Sequence, residues 1–117
     1  MRKAPRSVPL RSAVVLTIGL ALGGIAAAAP PVPADSAKGR RLSERWCATC
    51  HLVTAEQKTA SADAPSFHAL ASAPGKTEDV IADFLTLPGT THSRMPDLAL
   101  SRVEIDDIAA YIASLKK

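Results

Sequence analysis

Residues 46–51 read "WCATCH". They hold both cysteines of the chain, Cys47 and Cys50, with His51 directly after the second. Positions three and four apart share one face of a helical turn. Two thiols and an imidazole are therefore expected to converge on one side of the chain. Four chemistries compete for such a trio. A disulfide between Cys47 and Cys50 would close a very short loop and constrain little of the unfolded chain. A structural zinc site needs a second pair of ligands, and no further cysteine exists to form one. A W-C-x-x-C thiol–disulfide oxidoreductase needs a strand leading into a helix on a mixed sheet, whereas the preceding "SAKGRRLSER" (36–45) is polar and helix-forming. The fourth chemistry is covalent haem attachment, for which C-x-x-C-H is the signature. Each thiol adds to one haem vinyl group as a thioether, and His51 approaches the iron. This reading predicts one haem c bound by Cys47 and Cys50, with His51 as proximal iron ligand.

Composition agrees. The whole chain of 117 residues has two phenylalanines, one tryptophan and one tyrosine. A domain this small buries a limited core. A flat apolar macrocycle would supply what the side chains lack, with Leu42, Phe67, Leu70, Phe84, Leu85, Leu98, Ile108 and Ile112 packed around it.

The first 28 residues read as a secretory signal peptide. "MRKAPRSVPLR" (1–11) carries Arg2, Lys3, Arg6 and Arg11 and no acid, and "SAVVLTIGLALGGIAAAAP" (12–30) is apolar and ends in small residues. Cleavage after Ala28 fits the small-x-small rule with Ala26, and cleavage after Ala34 fits it with Val32. The alternative is an uncleaved membrane anchor, since the 17 uncharged residues from Ala13 to Ala29 reach the short edge of a membrane span. Residues 29–36 form a proline-rich flexible lead-in, and 37–117 the folded domain. Without the leader, 10 basic residues face 11 acidic ones, a net charge of −1. No basic patch with interleaved aromatics remains, which argues against nucleic-acid binding.

Within the domain, helix formers run from Ser36 into the cysteine motif. "LVTAEQKTASADAPSF" (52–67) reads as loop. "TEDVIADFLTLP" (77–88) is a short amphipathic helix, with Thr77 as cap, Glu78 and Asp79 in its first turn, and Val80, Ile81, Phe84 and Leu85 as its apolar stripe. "GTTHSRMPDLAL" (89–100) is again loop. In "SRVEIDDIAAYIASLKK" (101–117), Ser101 and Glu104 form a capping box, and Ile105, Ile108, Ala109, Ile112 and Leu115 share a face with Tyr111 beside it. The fold class is all-α, three to four helices and long loops wrapped around one haem.

The opposite iron face needs a ligand. Met95 lies on a polar loop, outside any apolar stripe, and stiff Pro96 follows it. It is the expected distal ligand, with His68 and His92 as alternatives. Cys47, Cys50, His51 and Met95 should then line one slot.

These features together resemble the class I c-type cytochromes, over nearly the whole span from Lys38 to Leu115. Gly39 stands eight before Cys47, where that family has a glycine at the crossing of its first and last helices. Tyr111 lies where it commonly has an aromatic at that crossing. Pro65 with Phe67 resembles its proline-x-apolar segment beside the proximal histidine, and Met95–Pro96 its distal-ligand loop. Ser43 departs from the pattern, because many members carry an aromatic there; Trp46 is expected to compensate. The segment 52–64 is also more polar than a tight loop requires. The resemblance implies that the Pro65 carbonyl accepts a hydrogen bond from the free ring N–H of His51, a contact that raises ring basicity. It assigns Gly39 and Tyr111 to packing, Trp46 to the haem edge, and Arg94 to a propionate or a partner.

Iron closed on both faces leaves no position for a substrate, and methionine opposite histidine raises the potential. The expected role is a periplasmic one-electron carrier, not an enzyme, either free or as the haem subunit of a larger dehydrogenase. Its partners would be redox proteins docking transiently near Thr49, Leu52, Thr91, Ser93 and Arg94. The alternative is a gas-binding sensor or peroxidase-like protein whose distal ligand is displaceable.

Overall fold

A computed structural model describes residues 28–88 and 94–117. The expected leader up to Ala27 lies outside the described residues, as do Thr91, His92 and Ser93. The described residues contain four helices and no strand. The sheet that a thiol–disulfide oxidoreductase would need is therefore missing from them.

Each helix starts where a side chain satisfies a free backbone N–H. Helix α1 (Ser36–Trp46) is capped by Asp35, whose carboxylate accepts from the Lys38 amide at 3.0 Å. The cap is thus one residue earlier than a serine start at 36 would put it. Helix α2 (Phe67–Ser72) is capped by Ser66, which accepts from the Ala69 amide. Its first residue, Phe67, lies in the stretch expected as loop and the other five follow it, outside any helix the sequence pattern predicts. Helix α3 (Glu78–Thr86) is capped by Thr77, and α4 (Arg102–Ser114) begins with the full Ser101–Glu104 capping box.

Helices α1, α2 and α3 all pack on α4, with α1 in the most extensive contact. The α1–α4 crossing is set by Gly39, where a Cβ would run into the Asp107 carbonyl. One turn later Ser43 is fully buried, and its hydroxyl donates to the Gly39 carbonyl at 2.8 Å. A small side chain that satisfies its own polar atom lets the backbones approach. Trp46 does not fill in for the absent aromatic: it is 45% exposed, and the Arg45 guanidinium stacks on it at 4.8 Å.

On α4 the buried face holds Ile105, Ile108, Ala109, Tyr111 and Ile112, as the spacing predicts, with Leu115 half-buried at its end. It also holds Asp107, which an acid-as-solvent reading misses. On α3 the buried seam runs through Ile81 and Ala82. Val80, expected in the apolar stripe, falls on its outer edge and is 43% exposed. Of the side chains expected to pack around a haem, Phe67, Ile108 and Ile112 are buried, whereas Leu42, Leu70, Phe84, Leu85 and Leu98 are half-buried.

Candidate haem-attachment site

The motif forms one turn directly after α1. The Cys50 and His51 amides both donate to the Cys47 carbonyl, at 3.1 and 2.9 Å. This places Cys47, Cys50 and His51 three and four apart on a single turn, so their side chains leave the same side. Both cysteines are free thiols, Cys47 buried and Cys50 half-buried. Burial pushes the Cys47 thiol up to about 11, with the neighbouring Cys50 adding to the effect. A nucleophile built for disulfide exchange is lowered instead. No group of three or more His, Cys, Asp or Glu side chains among the described residues is arranged to hold a metal ion alone, which leaves a zinc site without its ligands.

His51 is fixed by its ring. Nδ1 lies 2.7 Å from the Pro65 carbonyl oxygen. A carbonyl only accepts, so Nδ1 must carry the proton, and the Nε2 lone pair is left free. The ring also rests against Phe67, centroids 5.6 Å apart, and Phe67 lies 6.3 Å from Tyr111. The Phe67 amide donates to the Leu52 carbonyl at 2.9 Å, which pins the start of α2 beside the motif. The Tyr111 hydroxyl donates to the Val53 carbonyl at 2.7 Å, tying the segment after His51 to α4. Beyond the packing role expected for it, Tyr111 anchors this segment.

The polar excess of residues 52–64 has a use. A turn of this kind leaves carbonyls without helical partners. The two N–H groups of Gln57 Nε2 are shared among the carbonyls of Ala48, His51 and Thr59 at 2.8, 2.9 and 2.9 Å, while its Oε1 accepts from the Val53 amide at 2.9 Å. The amide and hydroxyl of Ser61 both donate to the Thr49 carbonyl, each at 2.7 Å. Sequence reasoning missed Gln57, because its partners are backbone carbonyls that carry no sequence identity.

Met95 is half-buried in an irregular segment, as its loop position predicts. It lines a shallow hollow with Leu85, Pro88, Pro96, Leu98 and Leu100. Of the four residues expected to share one slot, Met95 lines this hollow, and Cys47 belongs to the buried core cluster. His68 lies half-buried on α2, and Arg94 is exposed without a hydrogen bond or ion pair among the described residues.

The donor set fits a covalently held haem. Two free thiols stand three apart, and the adjacent imidazole has its proton committed to Nδ1, so that Nε2 can bind iron. Half-buried apolar side chains at Leu70, Leu85, Leu98 and Met95 supply surface for a macrocycle to cover.

Comparisons with known proteins agree. Residues 36–116 match the family model "Cytochrome c". The chain is 43% identical over 99 residues to a protein of Bradyrhizobium diazoefficiens named "Cytochrome c-552", across 85% of this chain and 92% of that relative. No solved structure matches.

Proposed function

The chain belongs to the cytochrome c family, and from that premise we propose that it carries one haem c and passes single electrons between redox proteins outside the cytoplasmic membrane. Membership makes it a haem c electron-transfer protein rather than an enzyme. In the finer reading, Cys47 and Cys50 would hold the haem through thioethers, and His51 Nε2 and Met95 would supply the ligands to its iron. A haem so held supplies a ferrous–ferric couple.

The observation that carries this reading is the 2.7 Å contact between His51 Nδ1 and the Pro65 carbonyl. It fixes the tautomer, orients the ring and strengthens Nε2 as a donor. Phe67 and the bonds of Gln57 hold the same ring and turn in place, so little needs to move when the iron changes charge. Methionine opposite histidine favours a raised potential. The basic head and apolar run of the first 28 residues support export. Among the described residues no helix is long and apolar enough to cross a membrane. Exposed Arg94, beside Met95, is available to a docking partner.

The test is an intact mass and a pyridine haemochrome spectrum of protein made in cells able to mature such haems. The expected mass is that of the polypeptide plus one haem, and a mass of bare amino acids would overturn the proposal. The reduced protein is expected to ignore carbon monoxide. Ready binding would overturn the closed carrier and favour a displaceable ligand, as in a gas sensor.

A further inference from the structure

We propose that the exported chain is cut between Ala34 and Asp35, and that the new α-ammonium of Asp35 becomes the buried counter-charge of Asp107. The inference rests on the export reading above and adds the site of processing and its structural purpose.

Asp107 is only 2% exposed. A buried carboxylate is costly unless it is both paired and hydrogen-bonded. Its Oδ1 accepts from the Asp35 backbone nitrogen at 2.7 Å. That is at the short end for a neutral N–H donor and within the range of an N⁺–H···O⁻ contact. Its Oδ2 is buried without a hydrogen bond. Lys38 Nζ stands 3.2 Å away, close enough for charge pairing but not aligned as a donor, on a side chain 46% exposed. The charged groups around this point are Asp107, the Asp35 carboxylate, Lys38 and, interacting with Lys38, Glu104. Acids outnumber bases there. An ammonium at the Asp35 nitrogen adds a positive charge and two further N–H donors at the place already in contact with Asp107.

The chain leaves the domain at this same atom. Residues 28–34 are exposed, Val32 by 75%, and form no hydrogen bond with the rest of the described residues. Their removal breaks no hydrogen bond among the described residues. Val32 and Ala34 satisfy the small-residue rule for the cut, and Asp35 follows. Hydrolysis consumes one water: the Ala34–Asp35 C–N bond breaks, Ala34 leaves with the new carboxylate, and Asp35 keeps the nitrogen as an ammonium. The cut after Ala28 would leave residues 29–34 in front of the domain and a neutral amide facing Asp107.

The intact mass of the haem-loaded protein from the export compartment decides between the cuts. A chain of residues 35–117 is expected. A chain starting at Ala29 would overturn this inference while leaving the carrier intact. An uncut chain would overturn the cut and mark the leader as a retained anchor, and a chain without haem in that compartment would overturn the carrier reading instead. A second measurement addresses the pairing. An Ala34→Leu chain, cut instead after Ala28, is expected to show a folding equilibrium constant about tenfold lower than the native protein. Adding Asp107→Asn to both forms should remove the difference. Equal stability at the outset, or a difference that survives Asp107→Asn, would overturn the ion pair.

Discussion

The backbone of Gly39 on α1 lies directly against the carbonyl of Asp107 on α4, so that a Cβ at position 39 would overlap that oxygen, its carbon and the next nitrogen. Backbone cannot swing aside as the end of a flexible side chain can. Gly39→Ala should therefore force the two helices apart and cost about 3 kcal/mol, the upper end for overpacking. Denaturant midpoints of the haem-loaded proteins measure this, and an unchanged midpoint would contradict the crossing described here.

Tyr111 links stability to alkaline pH. Burial pushes its phenol above the ordinary range, against a smaller opposing pull from Arg40. The folded chain therefore keeps this proton after the unfolded chain has begun to release it. The contribution is complete below about pH 10, the unfolded value, and is lost as pH climbs through the raised folded value. Tyr111→Phe should cost about 1–2 kcal/mol at neutral pH, because the Val53 carbonyl loses its donor. It should also flatten the decline above pH 10. Parallel stability curves for the two proteins from pH 7 to 11 would refute the assignment.

Gln57 is expected to matter beyond its modest burial. Gln57→Leu removes the donors to Ala48, His51 and Thr59 and the acceptor for Val53. The expected loss is about 1–3 kcal/mol, with faster hydrogen exchange concentrated in residues 48–61. Gln57→Glu keeps the acceptor and loses the donors, so its exchange pattern should spare the Val53 amide. Uniformly faster exchange along the whole chain would instead mark a general loss of stability.

For Met95 the expectation is spectroscopic. Met95→His should remove the near-infrared sulfur-to-iron band of the ferric protein and lower its reduction potential, with the helices unchanged by circular dichroism. Retention of that band in the variant would assign the distal position to another residue.

The sequence was most readable where causes are local. The capping box at Ser101 and Glu104 and the buried face of α4 rest on contacts three or four residues apart, and both are present. The grouping of Cys47, Cys50 and His51 on one turn followed from spacing for the same reason. Helix α2, with six residues, is too short to display a period. Val80 lies at the outer edge of the α3 seam, which runs through Ile81 and small Ala82, a position that a count of bulky residues does not reveal. Asp107 reads as solvated on any helical wheel, and only the arrival of Asp35 from 72 positions away makes it a buried acceptor. The proximity of Pro65 and His51 was suggested by family resemblance and not by pattern, since the contact runs to a backbone carbonyl 14 residues on.

The bonds from Gln57 to Ala48 and His51 and from Ser61 to Thr49 span at most 12 positions along the chain, and the His51 ring finds Pro65 14 positions on. Closure of the first helix on the last must wait for residues past position 100. Order of assembly follows from that difference in reach. A stretch ending near Phe67 contains the local partners of this turn and of the His51 ring, so the turn needs nothing from the C-terminal third to close its own hydrogen bonds.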